Sequence, residues 1–177
     1  AMLSYYYLMS SLPMLRAEGK TPITYQRFLE LCRTAVSKTR YSELESLTLR
    51  SDKGPLVREW AKFYQAFSSE LTFIRNEKRG LQFKGAYFHD TALSGAISAA
   101  ISGKNPLEAE NALIKLQFEK LDELVGAHCF DDHALMGYAL KLRLLERKSI
   151  FVEKQGKDEF ERILLELEKQ ITVGKRE

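Results

Sequence analysis

The densest group of potential ligands in this sequence runs from His128 to His133 and reads His-Cys-Phe-Asp-Asp-His. A structural zinc site needs four convergent ligands, and a catalytic one needs three on rigid elements. The sequence offers no second cluster of this kind. Alternatively, Asp131 or Asp132 caps a helix N-terminus, where a carboxylate accepts backbone N–H groups and favours the helix dipole. We favour the helix cap and keep metal binding as an alternative.

His89 and Asp90 form a second pair of potential ligands, similar to the paired ligands of helical metal-dependent phosphohydrolases. Enzymes of that kind need a further histidine upstream. The chain has three histidines, and His89 is the first of them. Asp90 is therefore predicted to cap the helix that follows.

The remaining residues form no recognisable catalytic motif. No serine lies in a nucleophile elbow, neither cysteine has an activation signature, and the ten glycines form no phosphate-binding loop. Carboxylate pairs such as Glu43 with Glu45 are expected on solvated helix faces. We therefore expect no enzymatic activity, no cofactor and no metal.

Composition and charge narrow the class of protein. The 177 residues suffice for one domain without disulfides, and we predict a single helical domain over residues 1–177, with Ala1 a tag remnant. The net charge of +3 comes from 27 basic and 24 acidic residues that are mixed along the chain, which does not indicate nucleic-acid binding. The two cysteines fit a reducing cytoplasm. No apolar run is long enough to span a bilayer, and the N-terminus lacks a basic signal-peptide region.

Hydrophobic periodicity and end signals predict an all-α bundle of about six to eight helices with one long central helix. Thr24 is predicted to cap a short helix, and a second helix begins near Thr39. Asn105, with Pro106 and Glu108, marks another N-terminus, and that helix should end at Gly126. The helix that follows Asp131 should fade near Ser149, before a short extended segment over 149–152 and a final helix from about Lys157.

The longest helix is predicted to begin at Pro55 and to reach about Arg79, roughly 35 Å. Its large apolar side chains alternate at spacings of four and three residues, and they are Trp60, Tyr64, Phe67, Leu71 and Ile74. We interpret this seam as the centre of the core, because it is shorter than three heptads, and keep an intermolecular coiled coil as the alternative.

Basic residues gather in two stretches, which contain Arg75, Lys78, Arg79 and Lys84, and Lys141, Arg143, Arg147 and Lys148. Acidic or apolar neighbours interrupt both stretches. They are either solvated faces or a docking surface for an acidic protein.

Three segments resemble a bacterial family that is encoded in V-type ATPase operons. They are the opening Tyr5-Tyr6-Tyr7-Leu8-Met9-Ser10-Ser11-Leu12-Pro13-Met14-Leu15; Phe28 to Cys32 followed by Thr39-Arg40-Tyr41 and Leu44; and Ala134 to Arg143. The segment from Phe28 to Leu44 is also, more distantly, similar to the C-type subunit of V/A-type ATPases, whose eukaryotic counterpart is called d.

The resemblance implies a noncatalytic part that lies between the central shaft and the membrane ring of a rotary ATPase and couples or assembles them through surface contacts. It implies a cytoplasmic location, peripheral to the inner membrane through partner subunits, with no membrane span. Tyrosine can anchor such an interface because it buries area while it keeps a hydroxyl available. The candidate partner-binding residues are Tyr5, Tyr6, Tyr7, Arg75, Arg79, Arg143 and Arg147. The alternatives are a helical metal-binding enzyme that uses residues 128–133 and an unrelated helical adaptor protein.

Overall fold

The computed structural model describes residues 2–82, 85 and 88–173, and this part of the chain contains seven helices and no strand. The helices are α1 (Met2–Ser11), α2 (Tyr25–Cys32), α3 (Lys38–Ser46), α4 (Pro55–Lys78), α5 (Thr91–Ile101), α6 (Pro106–Val125) and α7 (Asp132–Val173). The prediction of an all-α fold is confirmed. Whether residues 1–177 form one domain stays a prediction.

Most helix ends lie where local sequence signals place them. Thr24 Oγ1 accepts the Arg27 N–H at 3.1 Å, and Asp90 Oδ1 accepts the Leu93 N–H at 3.0 Å. A reciprocal capping box forms between Asn105 and Glu108. These caps satisfy backbone donors that have no partner inside the helix. The predicted end of α6 at Gly126 is also confirmed, with a positive φ of 59° that suits glycine.

Helix α4 is central to the core. All five large side chains of its predicted seam are buried within the chain. Trp60 and Tyr64 belong to a larger cluster with α2, α6 and α7, whereas Phe67, Leu71 and Ile74 belong to a smaller cluster with α5 and α6. The intramolecular interpretation of this seam is therefore confirmed.

Helix α7 differs from its prediction. It continues for 42 residues from Asp132 to Val173, so the expected break near Ser149 and the extended segment over 149–152 are wrong, and α7 rather than α4 is the longest helix. The Ser149 hydroxyl donates to the Leu145 carbonyl at 3.0 Å inside the helix. No proline lies within α7, so no residue removes a backbone donor from its interior.

The two halves of α7 have different surroundings. The first half is packed in the core, with Leu135, Ala139, Leu140 and Leu142 fully buried. Beyond Phe151 the helix leaves the bundle, and every residue over 152–169 is exposed. Across the described residues, none of the helices combines the length and the apolar character that a membrane crossing requires.

The N-terminal segment is attached to the bundle by polar contacts as well as by Leu8 and Leu15, which are buried. The Tyr138 hydroxyl donates to the Pro13 carbonyl at 2.7 Å, and Lys148 Nζ donates to the Ala17 carbonyl at 2.6 Å. Three consecutive tyrosines have no helical period, so the sequence pattern did not predict α1. These contacts hold α1 and the following loop against α7.

Candidate functional site

Tyr5 of α1 and Arg40 of α3 both contact Asp132, the first residue of α7. The Tyr5 hydroxyl donates to Asp132 Oδ1, and Arg40 Nη2 contacts Asp132 Oδ2 at 2.6 Å. The other terminal nitrogen of Arg40, Nη1, pairs with Glu43 Oε2. Burial raises the pKa of Tyr5 to about 12, and the hydrogen bond to Asp132 acts in the same direction. Tyr5 therefore serves as an internal brace in this structure.

Tyr6 and Tyr7, in contrast, are exposed. Their side chains are 49% and 69% exposed, and Phe130 beside them is 45% exposed. The Tyr6 ring contacts the Phe130 ring at 4.9 Å between centroids and the Tyr7 ring at 5.8 Å. We call Tyr6, Tyr7 and Phe130 the aromatic end of the molecule. An open cavity of about 390 Å³ lies beside it, lined in part by Tyr5, Arg40 and Phe130.

Arg79 and Arg147 are near enough to Arg75 for their charges to act on it, and we call Arg75, Arg79 and Arg147 the arginine surface. Desolvation lowers the pKa of Arg75, the charges of Arg147 and Arg79 lower it further, and Glu110 opposes them. Arg147 Nη1 also donates to the Tyr64 hydroxyl at 2.7 Å. The neighbouring positive charges make this surface suitable for an acidic partner. Lys84, from the same predicted basic stretch, lies outside the described residues.

Arg143 is occupied inside the fold. Its guanidinium lies 3.4 Å from the centroid of the Tyr25 ring, its Nε donates to the Leu47 carbonyl at 3.0 Å, and its Nη1 pairs with Glu146. Burial raises the pKa of Tyr25 to about 12, although the charge of Arg143 opposes this shift. The Arg143 guanidinium is thus held by contacts within the fold, although Arg143 lies one helical turn from Arg147 on α7.

Three side chains of the potential ligand group over residues 128–133 lie close together at the start of α7. Each of His128, Asp131 and His133 offers one ligand atom, and these three atoms lie within 4.8 Å of one another. The two imidazole rings stack at 4.4 Å, and His128 Nδ1 contacts Asp131 Oδ2. Cys129 turns away, with Sγ 3.5 Å from the Ala127 carbonyl. Three such ligands could hold a first-row transition metal with an open coordination position.

Asp131 also performs its predicted role as a cap, because its Oδ1 accepts the Ala134 N–H at 3.1 Å. Burial alone would raise the pKa of Asp131, but the hydrogen bonds from Ala134 and His128 outweigh it and lower the pKa. The capping prediction is confirmed, and the positive end of the α7 dipole lies at the same place as the three ligands.

His89 and Asp90 contact a buried carboxylate. Glu70 Oε1 accepts the Asp90 N–H at 2.7 Å and lies 3.1 Å from His89 Nδ1. The second oxygen of Glu70 has no hydrogen-bond partner over the described ranges. The pair connects the start of α5 to α4, a contact that the capping interpretation of Asp90 did not include.

One exposed surface was given no role at the sequence level. The outer half of α7 carries Phe160, Ile163, Leu164, Leu167 and Ile171, each between 43% and 62% exposed. Their helical spacing is visible in the sequence, but the spacing alone predicted only a helix and did not indicate what its apolar face contacts.

Comparison of the chain with protein-family models, with curated proteins and with solved structures finds no match.

Proposed function

We propose that this chain is a noncatalytic component of a V-type ATPase, similar to the C-type subunit, which couples the central shaft to the membrane ring or assists their assembly. The resemblance of Tyr5 to Leu15 and of the segments after Phe28 to the operon family motivates this proposal. The observation that carries it is the aromatic end, where Tyr6 and Tyr7 from the most family-like segment are exposed.

The aromatic end has the properties of an interface anchor. Tyrosine and phenylalanine supply large contact area with few rotatable bonds, so they lose little conformational entropy when a partner binds. The contacts of Tyr5 with Asp132, and of Asp132 with Arg40, brace the helix that presents Tyr6 and Tyr7. A braced anchor suits a part that must transmit force without slipping.

The arginine surface provides a second contact. Arg147 follows Asp132 by 15 residues of the same helix, a separation of roughly 23 Å along its axis. Two separated contacts can resist rotation of a partner about either one. Aromatic burial would supply affinity, and the arginines would supply orientation and a faster association with an acidic partner.

The location of the protein belongs to the same proposal. A shaft-to-ring component would lie on the cytoplasmic side of the inner membrane and would reach the membrane through its partner subunits. All contacts of such a component are with protein surfaces, which the exposed aromatic and arginine groups fit.

Mixing the chain with purified central-shaft subunits tests this function. We expect a complex on size-exclusion chromatography at micromolar concentration, and a Tyr6→Ala/Tyr7→Ala variant should weaken it at least tenfold. Phe88→Ala is the matched control, because Phe88 is an aromatic residue that is 90% exposed outside the aromatic end. Absence of comigration for the unmodified chain would count strongly against the proposal.

A second candidate, a metal-binding protein, is favoured by the convergence of His128, Asp131 and His133. Elemental analysis of the purified protein should then find a stoichiometric transition metal, which His128→Ala/His133→Ala should abolish and His89→Ala should not. An unrelated adaptor would instead copurify with partners outside the rotary ATPase.

A further inference from the structure

The outer half of α7 projects from the bundle. We call residues 152–171 the C-terminal arm. Its residues over 152–169 are all exposed, and at 1.5 Å per residue the arm is about 30 Å long. A single helix of this length is only marginally stable in water, because packing supplies most helical stability in proteins.

The arm carries an apolar stripe along one side. Phe160, Leu164, Leu167 and Ile171 follow one another at spacings of four, three and four residues, and Ile163 lies beside them. This is the spacing that lines one helix along another in a coiled coil. The side chains with the same spacing in α4 are buried, whereas those of the stripe on the arm are 43–62% exposed. A contiguous apolar surface of this kind marks an interaction site.

Acidic residues border the stripe on both sides. On a helical projection, Glu161 and Glu168 lie along one edge, and Glu159 and Glu166 lie along the other. Arg162 is on the far side of the helix, where it pairs with Glu159 at 2.7 Å and with Glu166 at 3.3 Å. Over residues 152–171 the arm has six carboxylates and four basic residues, but the charged residues that flank the stripe from Phe160 to Ile171 are all acidic. A complementary surface would therefore be apolar at its centre and basic at its edges.

A second copy of the arm does not provide such a surface. In a parallel pair, Lys157 occupies a seam position and would face its own counterpart. In the antiparallel register that pairs Phe160 with Leu164, Glu161 would face its own counterpart. Either arrangement places like charges together, which is destabilising.

We propose that the C-terminal arm is the docking site for an amphipathic helix of a partner protein, with leucine- or isoleucine-type residues in its seam and lysine or arginine at its flanking positions. The partner helix would complete a two-helix coiled coil on the arm. This proposal goes beyond the rotary-ATPase proposal, because it specifies a surface and a partner chemistry that the aromatic end and the arginine surface do not involve.

Two synthetic helical peptides with an identical leucine–isoleucine seam test the proposal, one with lysine and the other with glutamate at the flanking positions. Binding to the intact chain is measured by fluorescence anisotropy at low and high salt. We expect the lysine peptide to bind at least tenfold more tightly than the glutamate peptide and to lose this advantage in high salt. Glu161→Lys/Glu168→Lys should reverse the preference.

Matched variants on neighbouring positions locate the interface. Leu164→Glu should reduce binding of the lysine peptide at least tenfold, whereas Leu165→Glu should leave it within twofold, because Leu165 is 57% exposed but lies off the stripe. Circular dichroism confirms that both variants keep their helix content. Equal affinity for the two peptides, or equal loss in the two variants, would overturn the proposal.

Light scattering of the unmodified chain tests whether a second copy of the chain, rather than a partner helix, covers the stripe. We expect a monomer. A dimer that Leu164→Glu dissociates and Leu165→Glu preserves would show that a second copy covers the stripe, which would also overturn the proposal. Neither result depends on whether the chain binds shaft subunits.

Discussion

At the scale of single residues, the two thiols of this chain lie in opposite environments. Cys32 is fully buried on the inner face of α2, and Cys129 is exposed in the loop before α7. Burial raises the pKa of the Cys32 thiol to about 12. Because the thiolate is the reactive form, Cys32 should be inert at neutral pH.

We therefore predict that a thiol reagent such as DTNB modifies one cysteine per native chain and two after denaturation. Cys129→Ser should remove the native reaction and leave one thiol in the denatured protein. Rapid modification of both thiols in the native chain would contradict the buried position of Cys32.

Local chemistry made several residue-level predictions accurate. The caps at Thr24, Asp90 and Asn105 depend on side chains that reach their own helix three residues on, so the sequence contains all the necessary information. The role of Arg143 depends on Tyr25 and Leu47, which are about a hundred residues away along the chain. No local pattern distinguishes it from Arg147.

At the scale of helices, two glycines of α7 have opposite surroundings. A methyl group added at Gly137 would overlap the side chain of Val125 in α6, whereas one added at Gly156 would meet no atom within 4 Å. Gly137 thus allows α6 and α7 to approach closely, and Gly156 only lowers the helix propensity of the arm.

Gly137→Ala should lower the free energy of unfolding by about 1–3 kcal/mol, because the helices must move apart. Gly156→Ala is the control on the same helix, and it should instead favour the helix by about 0.5–1 kcal/mol. Urea denaturation and the helix signal in circular dichroism measure both effects. Equal destabilisation by the two substitutions would refute the close approach at Gly137.

The apolar seams of α4 and of the arm show why sequence periodicity could not locate every interface. Trp60 to Ile74 and Phe160 to Ile171 follow the same alternation, yet the first seam is buried within the chain and the second is exposed. Periodicity reports that a helix has an apolar face, and tertiary contacts decide what covers it. The wrong break near Ser149 has a similar origin, since Ile150 and Val152 favour a strand only where a sheet exists to receive them.

At the scale of the whole molecule, burial of several weak acids predicts sensitivity to alkaline pH. Burial raises the pKa of Tyr5, Tyr25 and Tyr138 from 10 to about 12, and that of Cys32 from 9 to about 12. The folded state therefore holds these protons more tightly than the unfolded state. Their contribution to stability is complete below pH 9 and is lost as the pH rises towards 12.

We expect the free energy of unfolding to fall between pH 9 and pH 11, with the largest share from the fully buried Cys32 and the buried Tyr25, as measured by urea denaturation at each pH. Tyr138→Phe should make this decrease smaller, because it removes one partly buried phenol. A constant stability over this range would contradict the burial of these groups.

The continuity of α7 also has a mechanical consequence. Its 42 residues form a rod of roughly 63 Å, clamped over its first 20 residues by the core and unsupported beyond them. A force applied near Ile171 would bend the helix most strongly where it enters the core. There Lys148 donates a hydrogen bond to the Ala17 carbonyl, and at the start of the helix Tyr5 and Arg40 contact Asp132. The outer half of α7 can thus act as a lever that pivots about the point where the helix enters the core.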